Sequence, residues 1–320
     1  MEINSSTKLR VNAEDIRPSS VAGQDRSIKK AILPIAGLGT RFLPLSKIFP
    51  KEAWPLVDKP VLQYIIEEAK ESGICEIIFV ISPEKKVIVD YFQKYHLQKS
   101  PKLEKKLKEQ GKLNLLGELK KLEELCQNFS FSLVFQKKPL GAGHAVLQAK
   151  DLIGGEPVAV LFGDDVVESK TPCLLQLIKI FKISQKPVLA LHQVPKEKIP
   201  SYGIVGVEKI ANRLYKIKKI VEKPSIDKAP SDLAIVGKHI LTPEVFDYLK
   251  KAKPSKKGEI ILSEVFDEMI KDGKVIYGYQ FEGNWLECGT KDGWLKCHLY
   301  LTLKHPEFGP KLREYLREIK

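Results

Sequence analysis

The sequence lacks paired cysteines, long apolar runs and a secretion-type leader. Its five cysteines form no Cys-x-x-Cys pair and are odd in number, which argues against a disulfide framework and favours a reducing compartment. No apolar run approaches the ~20 residues that a membrane-spanning helix needs. No charged segment is followed by an apolar stretch and a small-residue cleavage site near the N-terminus. These absences predict a cytoplasmic protein without a membrane partner.

Aromatic residues are missing from one strongly basic stretch, residues 99–121, although the chain carries a formal net charge of +13. Such a charge suits either nucleic acid or small anionic substrates. The lysines of this stretch alternate with leucines, a pattern typical of an amphipathic helical hairpin with a solvated face. Without aromatics it offers nothing for base stacking. We therefore favour a solvated surface around a site for anionic substrates, and expect no nucleic acid partner.

Short apolar runs alternate with helical patterns along the chain. Strands are predicted at residues 31–35, 76–81, 132–135, 157–161, 188–192 and 274–279. Helices are predicted at residues 61–72, 84–94, 142–150, 173–184, 243–250 and 263–271. This alternation predicts an α/β fold with a mostly parallel central sheet and helices on both faces. Ligands of such sheets bind beyond the carboxyl ends of the strands.

The domain organisation is predicted from composition and from the absence of clear linkers. Residues 1–27 are polar and are expected to form a flexible tail. Residues 28–304 are expected to form one catalytic domain, with a helical insert at about 97–128. The remaining residues, 305–320, are expected to form a C-terminal helix or tail.

A glycine loop follows the first predicted strand and is the most informative segment. It reads Ala36-Gly37-Leu38-Gly39-Thr40-Arg41, with Lys51 and Glu52 ten residues further on. Glycines let the backbone approach a ligand, and fixed cations complement polyphosphate. The loop is not a Walker motif, because Arg41 follows Thr40, nor a dinucleotide fingerprint, because Phe42 replaces the third glycine. A simple tight turn is the alternative for this fragment.

Three further motifs carry polar side chains, and two of them follow predicted strands. Gln136 opens the run QKKPLGAGHAV, and Gly163-Asp164-Asp165 follows the apolar segment PVAVLF. Ile220-Val221-Glu222-Lys223-Pro224 places a carboxylate beside a cation. A carboxamide can both donate and accept hydrogen bonds, a carboxylate can ligate a divalent cation, and a cation can pair with an anion. The alternatives are a turn at the aspartates and an exposed ion pair at the Glu–Lys dipeptide.

The string G-L-G-T-R-x-L-P followed by P-K-E-x-x-P-L-V-D-K-P resembles the signature of the sugar-1-phosphate nucleotidylyltransferases. Residues 37–44 and 50–60 match it, and the resemblance covers residues 29–301. Within that superfamily the chain is most similar to the bacterial UTP–glucose-1-phosphate uridylyltransferases. The resemblance implies a Rossmann-like mixed, mostly parallel sheet of the nucleotidyltransferase A type. It also implies that UDP-glucose and pyrophosphate are made from UTP and glucose 1-phosphate, with Mg²⁺, by a homodimer or homotetramer.

The resemblance also implies roles for individual residues. It assigns catalysis to Arg41, Lys51, Asp164 and Lys223. It assigns nucleotide binding to Ala36, Gly37, Gly39, Thr40, Glu52, Gln136 and Gly141. It assigns the sugar phosphate to Gly203, Glu222 and Lys223, and the metal to Asp164 and Glu287. The alternative for Glu52 is a salt bridge to a lysine, and His144 is expected to be packed and hydrogen-bonded outside the site.

The chain departs from the family pattern at several positions, three of which bear on the substrate and the metal. Asp232 replaces an asparagine, Ile261 replaces a glutamine, and Glu287 replaces an aspartate expected to ligate the metal. Mg²⁺ tolerates little error around its octahedron, so the longer glutamate matters most. Two alternatives therefore stay open: a thymidylyltransferase or another hexose-1-phosphate nucleotidylyltransferase, and a catalytically weak protein that binds nucleotide sugars.

Overall fold

The computed structural model describes residues 27–97 and 101–319. The predicted tail at 1–27 therefore lies almost wholly outside the described residues. The strands are β1 Lys30–Pro34, β2 Pro55–Leu56, β3 Lys59–Pro60, β4 Glu76–Ile81, β5 Ser130–Phe135, β6 Val158–Leu161, β7 Asp165–Glu168, β8 Val188–Gln193, β9 Gly203–Ala211, β10 Leu214–Glu222, β11 Leu233–Leu241, β12 Tyr277–Gln280 and β13 Asn284–Glu287. The helices are α1 Val61–Glu71, α2 Lys86–Leu97, α3 Pro101–Glu109, α4 Leu113–Gln127, α5 Gly141–Gln148, α6 Lys150–Ile153, α7 Cys173–Ser184, α8 Pro243–Lys251, α9 Leu262–Lys271, α10 Lys291–Lys304 and α11 Phe308–Glu318.

One nine-stranded sheet, in the order β5-β4-β1-β6-β11-β8-β12-β10-β9, organises the molecule. The first four strands are parallel to one another. From β11 onward most pairs are antiparallel, and only the β8–β12 pair is parallel. We call these two parts the parallel half and the antiparallel half. The α/β class with a mixed sheet is confirmed, and parallel pairing dominates only the N-terminal half.

Side chains alternate across the sheet and build a core on each face. Along β1, Ala31 and Leu33 join the cluster that packs against α1, α2, α4 and α7, whereas Ile32 faces α5, α8 and α9. In α1 the buried residues recur at helical spacing, which lays one apolar stripe on the sheet. The helices therefore cover both faces, as the sequence predicted.

The sequence predicted some buried elements closely, but it missed the buried strand β11 as well as the half-exposed β9 and β10. The ranges 76–81 and 173–184 coincide with β4 and α7. The β9–β10 hairpin was missed because both strands are partly exposed and interrupt their apolar residues with lysine and glutamate. The predicted helical insert contains α3 and α4, and the C-terminal segment contains α11.

Within the described ranges, none of the helices combines the length and apolar character needed to cross a bilayer.

Candidate active site

The glycine loop leaves the carboxyl end of β1 and runs along the edge of the sheet. Ala36 is buried, whereas Gly37, Thr40 and Arg41 are exposed and Gly39 is half-buried. The Arg41 guanidinium donates a hydrogen bond to the Gly289 carbonyl oxygen at 3.3 Å. This contact joins the loop to the segment that follows β13, 248 residues further along the chain.

Lys51 and Glu52 are neighbours in a short 3-10 turn, with the Lys51 ammonium 3.7 Å from a Glu52 oxygen, but their shortest contacts are with different partners. The Lys51 ammonium forms an ion pair with the Asp164 carboxylate. Glu52 is only 1% exposed, and both its oxygens accept hydrogen bonds from the buried Lys85 ammonium, at 2.8 and 3.0 Å. The structure thus places Glu52 in the salt bridge that the sequence offered as the alternative to nucleotide binding.

Asp164 and Asp165, between β6 and the start of β7, have different surroundings. Burial acts to raise the pKa of Asp164, but Lys51 and Arg41 offset it and hold the pKa below its ordinary value. Burial and the neighbouring Asp164 raise the pKa of Asp165 to about 7. The two Asp165 oxygens accept hydrogen bonds from the Trp285 indole at 2.8 Å and the Gly237 amide at 3.1 Å. Only Asp164 therefore has a cation beside it.

Whereas the pKa of Asp164 shifts downward, the pKa of Lys51 shifts upward. Burial acts to lower its pKa, but Asp164 and Glu52 more than compensate, so the pKa of Lys51 rises above its ordinary value. Lys51 and Asp164 consequently both stay charged at neutral pH.

A cavity of about 450 Å³ gathers several of the predicted site residues. Its lining includes Arg41, Asp164, Asp165, Tyr202, Lys223 and Glu287. The Tyr202 hydroxyl donates a hydrogen bond to the Glu287 carboxylate at 2.6 Å, and the Trp285 ring packs on Tyr202. Cations, carboxylates and a tyrosine from five separate segments thus meet in one cavity.

Glu222 and Lys223, at the end of β10, face two different cavities. Lys223 has a left-handed backbone, with φ of 47°, and lines the 450 Å³ cavity with a side chain that is 56% exposed. Glu222 lines a second cavity of about 610 Å³ between β10, α8 and α9. The Ser263 hydroxyl donates a hydrogen bond to Glu222 at 2.7 Å. A Cβ on Gly203 would lie 3.1 Å from the Glu222 carboxylate, so glycine allows this close approach.

Gln136 and Gly141 contact each other, and neither lines the 450 Å³ cavity. The Gln136 side chain donates a hydrogen bond to the Gly141 carbonyl at 3.1 Å. The same amide nitrogen lies 2.8 Å from Nδ1 of His144. The hydrogen-bonded state predicted for His144 is confirmed, and its partner is a predicted site residue.

The sequence reasoning missed several side chains that hold these groups in place. Each of four such side chains hydrogen-bonds to one carboxylate: Lys85 to Glu52, Tyr202 to Glu287, Ser263 to Glu222 and Trp285 to Asp165. Tyr202 directly precedes Gly203, and Trp285 lies two residues before Glu287, both of which the resemblance had assigned to the site. Those positions were the available signal, because the contacts themselves join segments far apart in the chain.

The carboxylates suit a divalent ion that arrives with a phosphate substrate. No cluster of three or more His, Cys, Asp or Glu side chains within the described ranges is arranged to hold a metal. Asp164 and Glu287 nevertheless line the same cavity, and Asp165 has both oxygens engaged. Mg²⁺ in phosphate-transfer sites commonly takes one or two carboxylates and completes its shell with substrate and water oxygens. The residues present fit that arrangement.

Comparisons with known proteins agree with this arrangement of fold and site. A UTP–glucose-1-phosphate uridylyltransferase of Staphylococcus haemolyticus (strain JCSC1435) is 42% identical over 294 residues, which make up 92% of this chain and 99% of that protein. A UDP-glucose pyrophosphorylase solved in complex with UDP-glucose has a TM-score of 0.77 and 36% identity, covering 87% of this chain and 100% of its own. A UTP-bound UGPase from Acinetobacter baumannii has a TM-score of 0.81 and 36% identity, covering 92% of this chain and 100% of its own. The family model described as nucleotidyl transferase matches residues 30–303, and the chain belongs to this family.

Proposed function

We propose that this chain makes UDP-glucose and pyrophosphate from UTP and glucose 1-phosphate. The convergence of Arg41, Asp164, Lys223 and Glu287 on one cavity, with Lys51 paired to Asp164, carries the proposal. Relatives of similar length that act on or bind UTP, glucose 1-phosphate and UDP-glucose support the choice of substrates. Two polyanions can meet only where cations neutralise their mutual repulsion, and this cavity provides those cations.

The reaction needs positioning and countercharge rather than a protein nucleophile. An oxygen of the sugar phosphate forms a bond to the α-phosphorus of UTP. The bond from that phosphorus to the oxygen bridging the β-phosphate breaks, and pyrophosphate leaves with the electron pair. Because the attacking oxygen is already anionic, no residue has to remove a proton from it. The site has to hold both phosphates and stabilise the charge that develops between them.

The cations divide between the two substrates in our proposal. Arg41 and Lys51 bind the triphosphate, with backbone from Ala36, Gly37, Gly39 and Thr40 beside them. Lys223 binds the sugar phosphate, while Glu222 accepts hydrogen bonds from sugar hydroxyls and Gly203 leaves room for the ring. Glu52 is buried against Lys85, so we assign it to holding the Lys51 turn rather than to direct contact.

Asp164 and Glu287 would hold the metal, which we propose to be Mg²⁺. When bound, a divalent ion supplies charge neutralisation between the two phosphates. Asp164 is paired with Lys51. A triphosphate offers Lys51 a second anionic partner, which frees Asp164 oxygens for other contacts. Tyr202 holds Glu287 by its hydrogen bond and so limits the positions that the longer side chain can take.

A substrate panel tests the proposed function. The protein is incubated with UTP, dTTP, CTP or ATP, with glucose 1-phosphate and Mg²⁺, and pyrophosphate release is measured. We expect release with UTP, and its loss when the metal is removed with a chelator. Release only with dTTP would indicate a thymidylyltransferase. Tight UDP-glucose binding without release under any condition would indicate a binding protein and overturn the proposal.

The quaternary structure and the compartment stay predictions of the sequence. We propose a homodimer or homotetramer in the cytoplasm. Sedimentation equilibrium of the purified full chain measures the first, and cell fractionation measures the second.

A further inference from the structure

The hydrogen bonds of the Gln136 carboxamide fix which of its two ends is free. Gln136 directly follows β5, and its backbone amide bonds to the Ile81 carbonyl at 2.8 Å, so the residue is anchored to the sheet. Its side-chain nitrogen lies 3.1 Å from the Gly141 carbonyl oxygen. A carbonyl oxygen can only accept, so the group facing it must be the amide nitrogen. The orientation of the carboxamide follows from this partner.

His144 accepts a second hydrogen bond from the same nitrogen. Nδ1 of His144 lies 2.8 Å from the Gln136 nitrogen, which is a donor, so Nδ1 must be the unprotonated acceptor. Burial lowers the pKa of His144, which keeps the ring neutral at physiological pH. Both amide hydrogens of Gln136 are thus used inside the protein. In the part of the chain that the structure describes, no donor is bonded to the remaining group, the carbonyl oxygen Oε1.

The Gly141 end of this arrangement has little freedom to move. Gly141 has a left-handed backbone with φ of 89°, and a Cβ there would lie 2.8 Å from the Ile260 carbonyl oxygen. The Ile260 amide bonds to the Leu140 carbonyl at 2.8 Å, and the Gly143 amide bonds to the Ile260 carbonyl at 2.9 Å. The start of α5 is therefore held against Ile260. The Gly141 carbonyl oxygen, which accepts the hydrogen bond from Gln136, consequently has a fixed position.

We propose that His144 is a positioning residue for base selection, which fixes the Gln136 carboxamide with its acceptor oxygen free to meet the base. A pyrimidine with a hydrogen on N3, such as uracil or thymine, can donate to that oxygen. Cytosine presents an unprotonated N3 acceptor and would face acceptor against acceptor. This inference rests on the proposed function, in which Gln136 and Gly141 contact the base.

The test compares UTP with CTP in His144 variants. His144→Asn keeps an acceptor oxygen at the position of Nδ1, whereas His144→Leu removes it. We expect the ratio of kcat/KM for UTP over CTP to fall about tenfold or more in His144→Leu, because the carboxamide can then rotate and present its donors. His144→Asn should stay within about threefold of the unsubstituted protein.

A matched control separates the Nδ1 contact from general packing of the ring. The Gln148 side-chain nitrogen lies 3.3 Å from Nε2 of His144. Gln148→Ala removes this contact and should leave the ratio of kcat/KM for UTP over CTP unchanged. His144→Gln is the second variant if His144→Leu does not fold, because its amide reaches toward Nε2 rather than Nδ1. Circular dichroism confirms folding of each variant.

Two outcomes overturn the inference. An unchanged ratio in both His144→Leu and His144→Gln would show that the Nδ1 contact does not set base choice. An equal loss in His144→Asn and His144→Leu would show that the ring acts by packing. The proposed function fails differently: the unsubstituted protein would neither turn over UTP nor bind it in calorimetry. The same calorimetric comparison of UTP and CTP affinities tests the inference without turnover.

Discussion

The parallel and antiparallel halves of the sheet hold their charged residues in different ways. On the parallel side the charges are paired: Lys51 with Asp164, and Glu52 with Lys85. On the antiparallel side Lys223 exposes 56% of its side chain, and its ammonium lies 3.5 Å from the carboxylate of its neighbour Glu222. The first arrangement is fixed before substrate arrives, and the second leaves a cation free to move toward an incoming phosphate. The comparison suggests a rigid triphosphate side and an adaptable sugar-phosphate side.

The largest effect should come from breaking the Lys51–Asp164 pair. Lys51→Ala and Asp164→Asn should each lower kcat by about 10³-fold, because a preorganised charge at the reacting phosphates is lost. Initial rates of pyrophosphate release at saturating UTP and glucose 1-phosphate measure this. Lys218→Ala, which removes an exposed lysine paired with Glu208, is the matched control and should keep full activity. Activity close to normal in both site variants would mean that the reaction occurs elsewhere.

The buried Glu52–Lys85 pair should affect stability more than chemistry. Lys85→Met removes both hydrogen bonds to the buried Glu52 and leaves only Lys51, at 3.7 Å, beside its charge, so we expect the free energy of unfolding to fall by about 3 kcal/mol. Urea denaturation measures this fall. The double variant Glu52→Leu/Lys85→Met should recover most of the lost stability, because the unpaired charge is gone. A stable double variant without UTP binding would instead support direct contact between Glu52 and the nucleotide.

Removing the Lys223 cation on the antiparallel side should have a smaller effect on the kinetics, confined to one substrate. Lys223→Ala should raise KM for glucose 1-phosphate about 10- to 100-fold, since one charge-assisted contact is worth about 1.5–3 kcal/mol. KM for UTP should change little. Steady-state kinetics with each substrate varied in turn distinguish the two. An equal rise in both values would mean that Lys223 serves the triphosphate as well, and the division between the halves would fail.

The sequence predicted which residues the site contains better than how they are held. The glycine loop and Asp164 could be found because they follow buried strands, whose carboxyl ends meet at one sheet edge, and Lys51 was found through the family resemblance. The burial of Glu52 against Lys85 could not be predicted, because the two residues are 33 positions apart in the chain. The same holds for Tyr202 and Glu287, which are 85 residues apart.

The antiparallel half was harder to predict for a local reason. Buried strands such as β4 are continuous apolar runs, which are recognisable in isolation. β9 and β10 are half-exposed, and their lysines break the apolar pattern. The sheet was therefore predicted as mostly parallel, because the strands that were missed, β9, β10 and β11, are those that pair in antiparallel fashion.

The smallest effect concerns β11, where the two halves meet. His239 is buried between Phe162 and Phe266, and burial lowers its pKa to about 3. The pKa of His239 in the folded state therefore lies below its ordinary value of about 6.5. The neutral imidazole contributes its full stabilisation of the fold above pH 6.5, and this contribution is lost as the pH falls toward 3. Between pH 7 and pH 6 the loss should be about 0.7 kcal/mol, because the unfolded chain takes up the proton and the folded chain does not.

His239→Leu sharpens this comparison, because leucine fills a similar volume and has no proton to take up. We expect the free energy of unfolding of the unsubstituted protein to fall more steeply with acidification than that of the variant, by the same ~0.7 kcal/mol over that interval. Urea denaturation of both proteins at the two pH values measures the difference. Parallel slopes would mean that His239 is protonated in the folded state, and the sheet would then have to open between its halves at mildly acidic pH. A steeper slope in the unsubstituted protein alone would mean that the halves stay joined around a neutral imidazole.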